Sequence, residues 1–304
     1  MKYLGKILFS AFIFLGVSLY SAESQEECPE DAAELFKAAF NSLPEKDIST
    51  RDIDNAMVFL QEAEDKGFKP FDELLYAKAY LYSQKEDYKS ALIYNRKAAE
   101  LGNLNAIIAT ATYYIEGKGT EADGVEALKW YVKAAELEDV NAMFIAGILF
   151  SDGPQKDNAK SFLWFKKAAE NDHVIAKKYL GDCYAEGKGT ARSVKDAMIW
   201  YAAASDDGSK DAQSAMCQFL FQEKMPRELM YYAEMLAQNR DSDEADLIKA
   251  DVFKAYASAQ NRDYKKLFEI GKHYKFITIA AILAIALLII TPISIFIFTY
   301  LFII

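Results

Sequence analysis

The chain has 304 residues, a formal charge of −10, and a composition that is 52% hydrophobic, 14% aromatic and 26% charged. That length holds one large or two modest domains. The acidic balance excludes nucleic acid and anionic lipid as general partners, and three cysteines are too few for a disulfide framework.

Read in chain order, the first segment is a leader. Lys2 and Lys6 flank an apolar run over 7–19, followed by Ser21, Ala22 and Ser24. This is the order of a secretory signal, so residues 1–24 are expected to be a signal peptide cleaved after Ser24, with an uncleaved anchor as the other reading. Cys28 is not preceded by a lipoprotein-type sequence. Beyond the leader, apolar periodicity predicts helices over 30–42, 51–66, 71–84, 87–101, 103–116, 122–137, 139–151, 157–170, 173–186, 193–206, 209–223, 226–238, 242–259 and 262–273. No strand pattern appears.

Within these helices an aromatic-x3-Ala pattern recurs at intervals of 34 to 36 residues: Phe59 and Ala63, Tyr94 and Ala98, Trp130 and Ala134, Trp164 and Ala168, Trp200 and Ala204. A second register runs in phase with it: Ala106, Ala111 and Tyr114; Ala142, Gly147 and Phe150; Ala176, Gly181 and Tyr184; Ala212, Cys217 and Leu220. Such a period marks stacked helix pairs, each burying its apolar face on its neighbours. The small residues allow close helix crossing. In the second helix of each pair, the aromatic and the Ala four residues on are expected to face inward.

The turns follow the same logic. Gly117 and Gly119 recur as Gly187 and Gly189 in identical Glu-Gly-Lys-Gly-Thr runs, where Gly supplies the left-handed conformation that ends a helix. Gly153-Pro154 is expected to do the same in between. Asn103, Asp139, Asn171-Asp172 and Asp207 are placed to cap the helices that follow. The organisation expected is looser helical units over 25–86, regular repeats over 87–223 and a more polar helical cap over 224–275.

The last stretch, 276–304, opens on Phe276, closes on Ile304 and carries no charge. A helix of that length reaches roughly 43 Å against a hydrocarbon core of ~30 Å, so it is expected to cross a bilayer, tilted or kinked at Pro292. Arg262, Lys265, Lys266, Lys272 and Lys275 precede it. The positive-inside tendency would hold that flank in the cytoplasm, but long exported domains largely escape the rule. Export is therefore the expectation: a periplasmic or envelope domain on a single C-terminal anchor, with an endoplasmic-reticulum lumen as the alternative.

The residues Ala176, Gly181, Tyr184, Gly187 and Gly189, followed by Ala197 and Trp200, resemble the Sel1-like repeat, whose pattern is A-x(4)-G-x-x-Y-x-x-G-x-G and then A-x-x-W-x-x-K-A-A. The set Tyr114, Gly117, Gly119, Ala127, Trp130, Lys133, Ala134 and Ala135 is similar. Ala111, Cys217 and Ser161 depart from the pattern. The resemblance implies an all-α fold, a right-handed α/α superhelical solenoid related to tetratricopeptide arrays, here with one C-terminal transmembrane helix. It also implies adaptor or scaffold roles, as in exported bacterial envelope proteins and the luminal subunit of an endoplasmic-reticulum degradation ligase. Cysteine-rich relatives described as β-lactamases carry regular disulfides that this chain lacks.

No catalytic constellation accompanies the repeats. The Gly-Lys-Gly-Thr turns lack the first Gly of a phosphate loop and sit at helix ends, where the dipole repels phosphate. His173 and His273 stand alone, and no spacing matches a metal site. Cys183 and Cys217 occupy equivalent helices, either as small core residues or as a pair that oxidation would join. No cofactor is expected.

Partner recognition is assigned instead to positions two and six after each first-helix Ala, off the small-residue seam: Ile108, Thr112, Phe144, Ile148, Lys178, Asp182, Ser214 and Gln218. They are expected along the concave face, where Phe144, Ile148 and Ile108 would offer an apolar patch to a partner protein. The expected function is a membrane-anchored, non-enzymatic scaffold. The competing readings are an envelope hydrolase acting on β-lactams or peptidoglycan, and a luminal quality-control subunit.

Overall fold

The computed structural model describes residues 28–44, 48–261 and 263. The leader and the 276–304 span lie outside the described residues, as does the helix expected over 262–273 apart from Asp263. Among the described residues no helix is long and apolar enough to cross a membrane.

The described residues form thirteen helices and no strand. They are α1 (Glu30–Asn41), α2 (Thr50–Asp65), α3 (Phe71–Gln84), α4 (Tyr88–Glu100), α5 (Leu104–Glu116), α6 (Gly124–Glu136), α7 (Val140–Asp152), α8 (Asn158–Glu170), α9 (Val174–Glu186), α10 (Val194–Asp206), α11 (Lys210–Gln222), α12 (Pro226–Gln238) and α13 (Glu244–Gln260). The chain divides between Lys156 and Asp157 into two compact units. In the first, α1 to α7 each pack on the next; in the second, α8 to α13 do the same, and α9, α11 and α13 also touch in series. Short connectors make sequential helices antiparallel neighbours, so the odd-numbered helices are the first of each pair.

The packing follows the repeat register. Ala98 and Ala134 in the first unit, and Ala168 and Ala204 in the second, are fully buried. The N-terminal unit closes around Phe36, Ile53, Leu60, Leu74 and Leu81, with the Phe36 and Phe68 rings stacked at 4.2 Å. The second unit closes around Tyr201, Met216, Leu220, Leu229 and Tyr256. One expectation needs correction. Trp130, Trp164 and Trp200 are only half-buried, and the ring that fills the core is the next one along: Tyr131 at 6%, Phe165 at 2% and Tyr201 at 4% exposure. Neighbouring positions on a helix point about 100° apart, and the buried Ala follows these rings by three residues. The faces of Trp130 and Trp164 lie beside lysine instead, with Lys133 Nζ 5.2 Å from the Trp130 ring and Lys167 Nζ 4.3 Å from that of Trp164.

The turns divide their labour between two glycines. Gly117 (φ +67°) and Gly187 (φ +72°) end α5 and α9 in the left-handed conformation. Gly119 and Gly189 also have positive φ, and a Cβ there would lie 2.2 Å from the Tyr88 carbonyl oxygen and 2.0 Å from that of Asn158. Tyr88 opens α4 and Asn158 opens α8, so each turn lies directly on the start of the preceding second helix. Gly153 does not match this pattern: its backbone is extended (ψ −177°), and α7 ends on a bond from its N–H to the Leu149 carbonyl.

Asn103 and Asp139 cap as expected, their Oδ1 atoms accepting from Ala106 N and Ala142 N. The other two caps shift along the chain to His173, whose Nδ1 accepts from Ala176 N at 3.1 Å, and to Ser209, whose Oγ accepts from Ala212 N at 3.2 Å. Cys183 and Cys217 are free thiols, both buried, and burial pushes them up to about 11 and about 12 respectively. They are core residues of α9 and α11, not a disulfide.

Candidate binding groove

The residues that define the repeat are consumed by the fold. Lys118 and Lys188, the cations of the Gly-Lys-Gly turns, pair with Glu116 and Glu186 two residues back, each at 2.6 Å. His173 spends Nδ1 on its cap, and burial lowers its pKa. Among the described residues no cluster of three or more His, Cys, Asp or Glu is placed to hold a metal. What remains for recognition lies between the repeat positions.

Of the eight residues expected on the concave face, Ile108, Thr112, Phe144, Ile148, Lys178, Asp182 and Ser214 are half-buried and Gln218 is exposed. In the N-terminal unit Ile108 and Thr112 lie on α5, Phe144 and Ile148 on α7. Thr112 Oγ1 donates to the Ile108 carbonyl at 2.9 Å and stands 3.1 Å from Tyr131 Oη. The register extends one helix further back than the sequence suggested. In α3, Leu74, Ala79 and Tyr82 repeat the spacing of Ala106, Ala111 and Tyr114, with Leu in place of the first Ala. This puts Tyr76 and Tyr80, both half-buried, at the same two positions. Burial raises both phenols, Tyr76 to about 12.

In the second unit the equivalent row is polar. Lys178 Nζ meets Asp182 Oδ2 at 2.7 Å, one helical turn on, and Tyr201 Oη donates to Asp182 Oδ1, also at 2.7 Å. Burial, followed by the Asp182 charge, pushes the Tyr201 phenol up. Tyr201 is the ring that rests on Gly181, where a Cβ would come within 2.7 Å of it. The repeat frame therefore reaches the inner face through one hydrogen bond: Tyr131 to Thr112 in one unit, Tyr201 to Asp182 in the other.

Three of the polar residues come together in a groove of about 340 Å³ across α9, α11 and α13, at the small end of the ~300–1,000 Å³ range of ligand pockets. Lys178 shares its α9 wall with Ile175 and Tyr179; Ser214 and Gln218 share the α11 floor with Asp211 and Ala215; Asp246 and Lys249 supply the α13 wall. Asp182 lies behind Lys178, outside the lining. Sequence reasoning missed the α13 wall because Asp246 stands there where earlier first helices carry Ala. The signal that could have found it is the cap, since Asp243 accepts from Asp246 N as Ser209 does from Ala212 N.

Fold and site together define an α-helical repeat protein in which three first helices, α9, α11 and α13, line a groove. Four stretches of the chain, 73–103, 105–139, 140–173 and 175–209, match the Sel1 repeat. Each is one first helix and the second helix after it, from α3 to α10. No curated protein matches the sequence. Among solved structures, a Sel1 repeat protein from Oxalobacter formigenes aligns with TM-score 0.56 at 20% identity, covering 80% of this chain and 82% of that one. A protective antigen of uropathogenic Escherichia coli with an SLR fold aligns with TM-score 0.55 at 19% identity, over 79% of this chain and 60% of the antigen. The chain thus spans less than two thirds of the antigen's length. The C-terminal part of a TPR repeat-containing protein from Cytophaga hutchinsonii aligns with TM-score 0.51 at 15% identity, over 79% and 92%. At these identities the likeness is one of fold. The chain thus carries four Sel1 repeats between residues 73 and 209, in an all-helical repeat fold.

Proposed function

We propose that this protein is a non-enzymatic scaffold, exported and held to a membrane by its 276–304 segment, which binds and regulates protein partners through the inner faces of its first helices. The observation that carries the reading is the α9–α11–α13 groove. Three successive first helices line it, and the α11 floor offers Ser214 and Gln218 with no hydrogen-bond partner among the described residues. Side chains that the fold does not use, aligned along a repeat surface, suit recognition of an extended segment of another protein. Membrane attachment rests on the uncharged sequence of 276–304 and export on the leader, with a bacterial envelope as the expected compartment.

Two experiments test this reading. Fractionation of cells expressing the full chain should place it in the membrane pellet after alkaline carbonate washing, and deletion of 276–304 should release it; a full chain released by the wash contradicts the anchor. Affinity isolation of the full chain should yield a partner that Gln218→Lys loses and an outer-face change, Leu163→Lys, retains. Saturable hydrolysis of a β-lactam or of peptidoglycan by the purified protein would contradict the non-enzymatic assignment.

A further inference from the structure

The charges around the groove are not equally satisfied. Lys178 is tied to Asp182 at 2.7 Å, Lys210 to Asp246 at 3.1 Å, and Lys249 to Asp246 at 3.5 Å. Hydrogen bonding from Lys210 holds Asp246 below the usual carboxylate range. Each lysine around the groove is therefore paired with a carboxylate, Lys210 and Lys249 sharing Asp246. Asp211 does not share this arrangement. It lies in the first turn of α11, is exposed to the groove, and makes neither a hydrogen bond nor an ion pair among the described residues. Its sequence neighbour Lys210 directs its ammonium to Asp246 and Asp243 instead.

An anion entering the groove would have to displace a carboxylate from a lysine and would face Asp211 as well. A cation meets Asp211 with nothing to displace. On the same face of α11, Ser214 and Gln218 follow Asp211 at three and seven residues, one strip along the helix. Gln218 carries both donor and acceptor, as a peptide backbone requires. At the α9 side Ile175 is 53% exposed at the groove edge, an apolar surface that a ligand side chain would cover.

We infer that the groove takes an extended peptide segment of a partner protein carrying an arginine or lysine, whose cationic head pairs with Asp211 while its backbone bonds Ser214 and Gln218 and an adjacent apolar side chain covers Ile175. This rests on the protein-binding reading above and specifies its ligand. The polar strip sets the register, and Asp211, an exposed carboxylate with no ion pair of its own among the described residues, sets the residue preference by attracting a cation.

The test is selection of short random peptides displayed on phage against the full chain in detergent micelles, with Gln218→Lys as counter-selection. The expected result is a consensus with Arg or Lys beside an apolar residue. A synthetic peptide of that consensus should lose about threefold in affinity against Asp211→Asn, together with its preference over the same peptide carrying Gln in place of Arg. Asp211→Glu should restore that preference. Asp211 makes no hydrogen bond among the described residues, so Asp211→Glu should melt as the parent does, and Asp211→Asn should melt only slightly lower, through loss of the first-turn charge. Peptides that Gln218→Lys blocks but that lack a basic residue, or whose binding Asp211→Asn leaves unchanged, overturn this inference and leave the groove as a protein-binding site. An acidic consensus that Lys249→Ala weakens overturns it equally. If no peptide is bound in a way that Gln218→Lys blocks, the inference and the groove reading both fall.

Discussion

The two units use one frame to present two different surfaces. Two and six residues after the first small or apolar repeat position of each first helix, the N-terminal unit carries Tyr76, Tyr80, Ile108, Thr112, Phe144 and Ile148, mostly aromatic or aliphatic and all half-buried. The second carries Lys178, Asp182, Ser214 and Gln218, all polar. Yet the repeat residues beneath them are nearly interchangeable: Gly117 and Gly119 match Gly187 and Gly189, Tyr131 matches Tyr201, Ala134 matches Ala204. A repeat protein can thus change what it recognises without changing what holds it together.

The largest expected effects lie in the frame, and they should be equal in the two units. Gly119→Ala and Gly189→Ala each put a Cβ against a backbone carbonyl, at 2.2 and 2.0 Å, on a positive-φ residue. Each should cost about 3 kcal/mol or more by urea unfolding of the full chain. Gly117→Ala and Gly187→Ala, with nearest contacts of 3.2 and 3.4 Å, should cost only about 1 kcal/mol. A marked difference between the units within either pair would break the claim of a common frame.

Gly181→Ala comes next. Its Cβ would press on the Tyr201 ring at 2.7 Å, and overpacking of this kind costs about 1–3 kcal/mol. The N-terminal unit already holds Ala at the equivalent position 111, so the loss measures how far the units differ in helix spacing. Tyr201→Phe removes the hydroxyl bonded to Asp182 at 2.7 Å and should cost about 1 kcal/mol. Tyr131 Oη meets the neutral Thr112 hydroxyl at 3.1 Å rather than a carboxylate, so Tyr131→Phe should cost less. Equal losses would mean that the Asp182 charge adds nothing.

The smallest effect is one of pH and belongs to the N-terminal unit. Burial, and then the neighbouring Asp72, push Glu73 up to about 7 from 4.5, and its Oε2 is buried without a partner. A raised folded-state pKa means that stability is full below about pH 4.5, where both states hold the proton, and is lost as pH rises through about 7. Glu73→Gln should remove that decline and raise the melting temperature at pH 8 by about 2 °C, with little change at pH 4. A decline that persists in the variant would assign it to another group.

Much of this fold is written in the sequence because the signals are local. Gly117 and Gly187 end helices wherever they occur in such a run, and the spacing from Ala176 to Tyr184 places one face of α9 without knowledge of its neighbours. The helices from α1 to α13 accordingly begin and end within two residues of expectation. The errors arise where a neighbour decides. The Trp residues mark the repeat by size, but the buried ring is the one after them, which only the direction of the adjacent helix determines. Leu74 hides the register of α3 because a larger residue fits there. Lys178, Ser214 and Gln218 were legible as residues at equivalent repeat positions, whereas Asp211, Ile175 and the α13 wall were not, since what makes them line one groove is how three helices stand together.

The central claim is that partners are read by the residues between the repeat positions, on the inner face. Site-specific photo-crosslinking in cells tests it most directly, with a photoreactive residue placed at Phe144 or Gln218 on the first helices, and at Ile93 or Leu163 on the second helices as controls. The account predicts discrete protein adducts from the inner positions that contain the same partner, and none from the two controls. Adducts that arise from Ile93 or Leu163 alone, or only adducts to lipid from every position, would contradict it.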